Sequence, residues 1–355
     1  MNLLKETIES IKPLYSDCVL KAWERIDNLT KPIGSLGGLE EIAAKLTGIT
    51  GKTINSIRKK NIIIMCADNG VIEEGVSACP QNTTATVTNN FTKHITGVCK
   101  LATYANSEIT VVDVGVNADF DNKGIINKKI AYGTKNMAIG PAMTRGEAIR
   151  AIEVGIETVK RLSLSGYDLL GTGEMGIGNT TTSAAVLSVL SGIDSDLVVG
   201  KGSGLTQAQY ENKKSVVRRA IKVNSPDKND VLDVLAKVGG FDIAALCGCF
   251  LAAASFRIPI VIDGFIASSA ALCACRINPL SREYMFPSHL SAEPGAIYMM
   301  KELNLTPMLN LNMRLGEGSG CALAFNVIEA ALYTINNMAT FREAELIKDF
   351  YVDIR

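Results

Sequence analysis

The sequence predicts an α/β fold: a parallel sheet flanked by helices. Two observations predict it. Short apolar runs alternate with longer amphipathic or alanine-rich stretches through the middle of the chain, the pattern of repeated strand–helix units covered on both faces. Acidic residues also recur where the runs end, at Asp68, Asp113, Glu174, Asp263 and Glu317. Any one of them suits a helix cap, but together they line the carboxyl edge of a sheet, where open α/β folds bind ligands.

The expected strands are IIIMCA (62–67), ITVVDVG (109–115), YDLLG (167–171), IPIVIDG (258–264) and PMLNLNM (307–313), the last read as buried. Between them, residues 147–164, 180–190, 207–223 and 239–255 read as helices, and CALAFNVIEAAL (321–332) as a buried one. The first 60 or so residues look helical apart from the turn TKPIGSLGGLE (30–40), which Pro32, Gly34, Gly37 and Gly38 keep out of a helix. No repeat, low-complexity segment or clear linker divides the chain.

A length of 355 residues allows one large α/β domain with extensions, or two modest ones. Lys and Arg total 36 against 36 Asp and Glu, so charge gives no case for nucleic acid or an anionic membrane as partner. Apolar runs are broken by Gly, Ser or charge, and residues 1–10 carry no signal-peptide pattern, so a soluble cytoplasmic protein is expected. The nine cysteines include two C-x-C pairs, Cys247/Cys249 and Cys273/Cys275. On a helix, positions i and i+2 point apart, and only His94 and His289 are available to complete a ligand set, so these read as small buried hydrophobes and no metal is expected.

Two features carry chemistry. The first is MRLGEGSG (313–320), where Glu317 stands between glycines that let backbone approach a ligand closely. A carboxylate there has the position of a catalytic base. The second is GTGEMGIGNTTTSAAVLSVL (171–190), in which Asn179 and Thr180 to Thr182 open a helix whose free N–H groups and dipole favour an anion. A further glycine loop, VGKGSGL (199–205), surrounds Lys201 but lacks P-loop spacing. Lys213 in the following helix would add positive charge, although a helical lysine is ordinarily solvated.

Gly171, Gly173 and Gly176 also spell G-x-G-x-x-G, with Asp194 and Asp196 about 20 residues on, which keeps an NAD-dependent oxidoreductase as an alternative. Against it, the loop runs on through IGNTTT, the acid follows no convincing second strand, and the unit sits mid-chain. A single-phosphate cradle beside a carboxylate suits a phosphoribosyl substrate and a base that must lose a proton.

In order, TKPIGSLGGLE, ADNGVIEEGVSACPQ, GTGEMGIGNTTTSAA, VGGFDIAALCG, IDGFIASSAAL, SHLSAEPG and LNMRLGEGSGCALA resemble the nicotinate-nucleotide–dimethylbenzimidazole phosphoribosyltransferases, which activate the lower-ligand base of cobamides. The resemblance runs from about Asp27 to Leu332. It implies a Rossmann-like α/β domain (61–332), a smaller helical domain from both termini (1–60 and 333–355), and a homodimer. It also implies transfer of phosphoribose from nicotinate mononucleotide to a benzimidazole-type base, with no metal or redox cofactor.

Residue by residue, the resemblance makes Glu317 the general base and Glu174 a second acid. It assigns Lys213 and the loop Gly202, Ser203 and Gly204 to phosphate, and Gly176, Gly178, Asn179, Thr180, Ser291 and Asn312 to the ribose and nicotinate side. Cys79, Pro80, Thr86, Met175, Leu315 and Gly316 correspond to the base-facing wall. The chain departs from the family at Asn69, within Asp68-Asn69-Gly70, where His is usual. Cys79 stands in place of Tyr or Ser, Thr86 where Gln is frequent, and Ala296 where His is common. These departures bear on which base is used. Relatives act on purines, substituted benzimidazoles or, as paired paralogues, phenolic bases, and a phenolic-base paralogue with a partner subunit is a further alternative.

Overall fold

The computed structural model describes residues 3–350 and 352–355. Its strands are β1 (Lys60–Ala67), β2 (Glu108–Gly115), β3 (Ile125–Asn127), β4 (Leu169–Met175), β5 (Ile260–Ile262) and β6 (Met285–Pro287). They form one parallel sheet in the order β3-β2-β1-β4-β5-β6. The chain builds outward from β1 to β3, then returns and builds the other way from β4. The crevice between the carboxyl ends of β1 and β4 is therefore the topological switch point, where such sheets bind ligands.

The helices are α1 (Leu3–Ser10), α2 (Ser16–Ile26), α3 (Gly38–Thr50), α4 (Thr83–Thr92), α5 (Gly97–Tyr104), α6 (Arg145–Leu164) and α7 (Asn179–Ser191). They continue as α8 (Ser195–Val198), α9 (Gln207–Asn224), α10 (Val231–Val238), α11 (Phe241–Ser255), α12 (Phe265–Ile277), α13 (Gly295–Leu303) and α14 (Ser319–Asn337). Local sequence explains several starts. Thr144 with Glu147 and Thr206 with Gln209 form reciprocal capping boxes at α6 and α9, each satisfying two otherwise orphaned N–H groups.

All eight residues of β1 are buried, and its Ile62, Ile63, Ile64 and Met65 are fully so. Each such side chain contributes roughly 1.5–3 kcal/mol through burial. Helix α11 lies across β1, β2 and β4 and packs on α6, while α14 covers β4 and β5. The α6–α11 crossing brings backbones into contact: a β-carbon on Gly155 would stand 1.9 Å from the Ala245 carbonyl oxygen, and one on Gly248 1.9 Å from that of Ile152. Cys247 and Cys249 are buried in α11, and Cys273 in α12; all nine cysteines are free thiols. Among the described residues no helix is long and apolar enough to cross a membrane.

A second, smaller apolar cluster joins the two ends of the chain: Ala22, Ile26, Leu29, Ala43 and Ala44 pack with Ile335 near the end of α14. Beside it, Lys31 and Glu40 form a buried ion pair at 2.7 Å. The expected helical segment 333–355 is helical only to Asn337, where α14 ends; the described residues beyond it form an antiparallel bridge of Thr340 with Leu29, turns and one short 3-10 segment, Lys348–Phe350.

The structure corrects the strand reading in three places. PMLNLNM is not a buried strand. It makes one isolated parallel bridge, Leu309 with His289, and then runs out exposed through Asn310, Leu311 and Asn312. Its alternate asparagines suit a surface edge, and Asn312 leaves the extended region with φ at 54°. Strands β3 and β6 escape a periodicity reading because each has three residues, and Pro287 reads as a breaker although an edge strand tolerates it. Finally, YDLLG continues as strand through Gly173, Glu174 and Met175.

That last correction removes the basis of the dinucleotide reading. Gly171 and Gly173 are strand residues facing α14 and its approach. A β-carbon on Gly171 would stand 2.7 Å from that of Cys321, and one on Gly173 2.3 Å from the Glu317 carbonyl oxygen. These glycines admit another part of the chain rather than a pyrophosphate. Asp194 caps α8 and Asp196 pairs with Arg218 at 2.5 Å, so neither is poised for a ribose.

Candidate active site

A cleft of about 260 Å³ opens at the switch point. Strand β4 delivers Glu174 and Met175 into it, and the turn Gly176–Gly178 then leads straight into α7. Gly178, at φ 96°, is the N-cap residue, and Ile177 N–H donates to Thr84 Oγ1 of α4 at 3.1 Å, which fixes the turn.

One end of the cleft is cationic. The Lys213 ammonium reaches over from α9 and donates to Thr180 Oγ1 at 2.7 Å. Contrary to the ordinary expectation for a helical lysine, Lys213 is 0% exposed. Burial pushes its pKa down to about 8, with Glu293 drawing it back up. Gly202 closes this corner: a β-carbon there would lie 3.3 Å from Thr180 Oγ1 and 3.5 Å from Lys213 Nζ. With the α7 N-terminus, the group offers a compact anion its charge, a hydroxyl and backbone N–H groups.

The other end is acidic. Glu317 stands with φ at 64°, a left-handed conformation unusual for a residue with a side chain. Its Oε2 accepts from Val98 N–H, in the first turn of α5, at 3.3 Å. Burial raises its pKa above the ordinary value, the Val98 amide opposes that rise, and Asp263 adds to it. Glu174 lies alongside, close enough that a β-carbon on Gly316 would stand 2.6 Å from its Oε1. Asn179 Nδ2 donates both to Glu174 Oε2 and to Asp242 Oδ2, the latter at 3.0 Å. Burial is the main cause lifting Glu174 to about 8 and Asp242 to about 6, and the Asp242 charge adds to the former.

These raised values have a stability consequence of definite sign. A carboxyl that binds its proton more tightly folded than unfolded stabilises the protein fully below its unfolded pKa. That contribution is lost as pH rises through the folded value. The ligand-free protein is therefore expected to lose a few kcal/mol between about pH 4.5 and 8 through Glu174. Glu174→Gln keeps an acceptor for Asn179 without the charge, and its urea midpoint at pH 9 should exceed the parent's while the two agree near pH 5. Parallel pH profiles for the two proteins would remove Glu174 as the cause.

Of the residues expected from sequence, Glu174, Met175, Gly176, Gly178, Asn179 and Thr180 line this cleft. So do Gly202, Ser203, Lys213, Ser291, Leu315, Gly316 and Glu317. The structure does not bring Gly204, Asn312, Cys79, Pro80 or Thr86 into the lining. Cys79 stands behind it, its Sγ 3.8 Å from Ser203 Oγ, and Pro80 is exposed. Thr86 is exposed and bonds its own helix at the Asn82 carbonyl. Helical spacing explains the displacement: Thr83 and Val87, four apart on α4, face the cleft and Thr86 does not.

The resemblance placed the base-facing wall in residues 77–91 without singling out Ser77, Thr83 or Val87, which with Val76, Met175 and Leu315 line a mostly apolar part of the cleft. The i, i+4 pair on α4 was the available signal. Asp242 was also missed, because its link to the cleft runs through Asn179 and has no local signature.

Comparison with known proteins identifies the family. A family model described as phosphoribosyltransferase matches residues 11–346. The nicotinate-nucleotide–dimethylbenzimidazole phosphoribosyltransferase of Clostridium tetani is 58% identical, covering 100% of this chain and 98% of the relative. That of Ruminiclostridium cellulolyticum is 57% identical, covering 96% and 97%. Among solved structures, CobT from Thermus thermophilus superposes with a TM-score of 0.90 at 38% identity, over 93% of this chain and 99% of that one. A nicotinate-nucleotide–dimethylbenzimidazole phosphoribosyltransferase structure from the same organism gives 0.88 at 38%, over 93% and 98%. With a family model over most of its length and relatives more than half identical from end to end, this chain belongs to the nicotinate-nucleotide–dimethylbenzimidazole phosphoribosyltransferase family.

Proposed function

We propose that the chain transfers the phosphoribosyl group of nicotinate mononucleotide to a benzimidazole-type base in the cleft, giving an α-ribazole 5′-phosphate and nicotinate. The observation that carries this reading is the pairing within one cleft of the Thr180–Lys213 corner with the Glu317 carboxylate. A phosphate fits the first, and the second accepts a proton.

The phosphate docks on Lys213, Thr180 and the Gly202–Ser203 loop, which sets the ribose between the two ends. The C1′–N bond to the pyridinium breaks with its electron pair passing to the ring nitrogen, so the leaving group needs no strong acid. A ring nitrogen of the incoming base attacks C1′ from the opposite face, inverting β to α. Its other ring N–H becomes acidic as that bond forms, and Glu317 takes the proton. The slot of Val76, Val87, Met175 and Leu315 suits a flat aromatic base. Glu174, neutral up to about pH 8, has an O–H to donate near the ribose.

A two-part division at residues 61 and 332, a homodimer and a cytoplasmic location belong to the same reading. The apolar cluster joining the chain ends supports the first of these. The reading is tested by incubating the purified chain with nicotinate mononucleotide and 5,6-dimethylbenzimidazole and following nicotinate and phosphoribosylated base together. Equal, base-dependent formation of both is expected. Nicotinate release without a phosphoribosylated base, or no release with any base, would overturn it. Adenine and p-cresol in the same assay measure the base preference.

A further inference from the structure

We infer that Asp263 is the positioning residue for Glu317, acting as a carboxylate clamp that holds the glutamate's loop from a neighbouring strand. This inference rests on the reading of Glu317 as the base.

Glu317 sits in a left-handed conformation that a side chain rarely adopts, and nothing in its own sequence favours that state. The flanking residues show what imposes it. Asp263, directly after β5, accepts from Gly318 N–H at 3.0 Å and from Gly320 N–H at 2.7 Å, the two amides that follow Glu317 in alternation. Gly318 is the N-cap position of α14 and offers no side chain for the job. Asp263 supplies the missing cap from fifty-odd residues away in sequence, and so fixes the first turn of α14 against the sheet edge.

The rest of the loop is boxed in. The Glu317 carbonyl lies against Gly173, Gly318 lies against Ile62, and Gly320 lies against His289 and Ser288, whose Oγ donates to the Asp263 carbonyl at 2.9 Å. Asp263 is 3% exposed, so its two bonds are made away from competing water. The backbone on either side of the glutamate is thus held, and the Glu317 side chain is left pointing to Val98 and the cleft. Asp263 itself has its carboxylate committed to the amides, so its contribution passes through Glu317.

The experiment is a kinetic double-mutant cycle of Asp263→Asn and Glu317→Gln, with circular dichroism on each variant. An asparagine presents one acceptor and one donor to two amides, so one clamp bond is lost. The expected result is a fall in kcat of about 10²-fold for Asp263→Asn, with the KM for nicotinate mononucleotide little changed. In the Glu317→Gln background the same change should cost less than about twofold, because the group it positions is gone. Equal cost in both backgrounds would overturn the clamp while leaving the base assignment intact. A Glu317→Gln enzyme with the parent's rate would overturn the base assignment itself. Asp263→Ser, smaller and able to accept one amide, is the second variant and should give the same split. Loss of folded protein in both variants would also overturn the inference, assigning Asp263 to folding alone.

Discussion

Glu317→Gln is expected to lower kcat by roughly 10²–10⁴-fold, the range over which a positioned general base acts, with the KM for nicotinate mononucleotide nearly unchanged. The glutamine keeps an oxygen to accept Val98 N–H, so the loop should hold its shape while losing the proton acceptor. The side chain bonds Val98 and shares no hydrogen bond with the Thr180–Lys213 corner, which is why binding of the nucleotide should survive. The pH profile gives an independent check. Burial lifts the Glu317 pKa above the ordinary carboxylate value, and a base works only when deprotonated. The parent's kcat should therefore fall on the acid side at a pH above that of a solvated glutamate, and the variant's residual rate should lack this limb. A variant with a parent-like rate on dimethylbenzimidazole would move the base elsewhere in the cleft.

Much of this site was legible in the sequence because its parts are local. A glutamate between glycines at the mouth of a helix, and threonines opening another helix after a glycine turn, declare themselves within a few residues. The strand-end acids also pointed to the right edge of the sheet. Their separate duties were not legible. Asp113 bonds Gly115 and Val116 and pairs with Lys129 at 2.7 Å, which makes it structural. Asp263 clamps a loop more than fifty residues on. Such roles depend on which strands become neighbours, and the β4–β5 adjacency that brings Asp263 to α14 has no local signature. The duty of the strand glycines was illegible for the same reason. Gly171 and Gly173 match a nucleotide motif by spacing, yet the close approach they allow is that of α14 and Glu317. The base wall was misplaced by a smaller error. The resemblance assigned Thr86 to it, whereas α4 turns Thr83 and Val87 inward.

Lys213→Met should separate stability from binding with opposite signs. The parent buries an ammonium that donates to the neutral Thr180 hydroxyl, with the Glu293 carboxylate only partly offsetting its burial. Burial lowers its pKa from 10.5 to about 8, so between those values the unfolded chain holds more protons than the folded one. Stability must then climb as pH rises from about 8 to 10.5, and at neutral pH the buried charge costs a few kcal/mol. Methionine fills similar volume without charge, so the variant should show a higher urea midpoint at pH 7 and no climb towards pH 10. Binding should move the other way. A phosphate in this corner gains a charge-assisted hydrogen bond from Lys213, worth about 1.5–3 kcal/mol, so the KM for nicotinate mononucleotide should rise about 10- to 100-fold. The parent's kcat/KM should decline above about pH 8 as the free enzyme loses the Lys213 proton, and the variant should lack that decline. A buried lysine kept at a cost to the fold is what a phosphate site requires, since the substrate phosphate supplies counter-charge that Glu293 provides only in part. A Lys213→Met enzyme that is both less stable and unchanged in KM would make Lys213 a packing residue and place the phosphate away from α7.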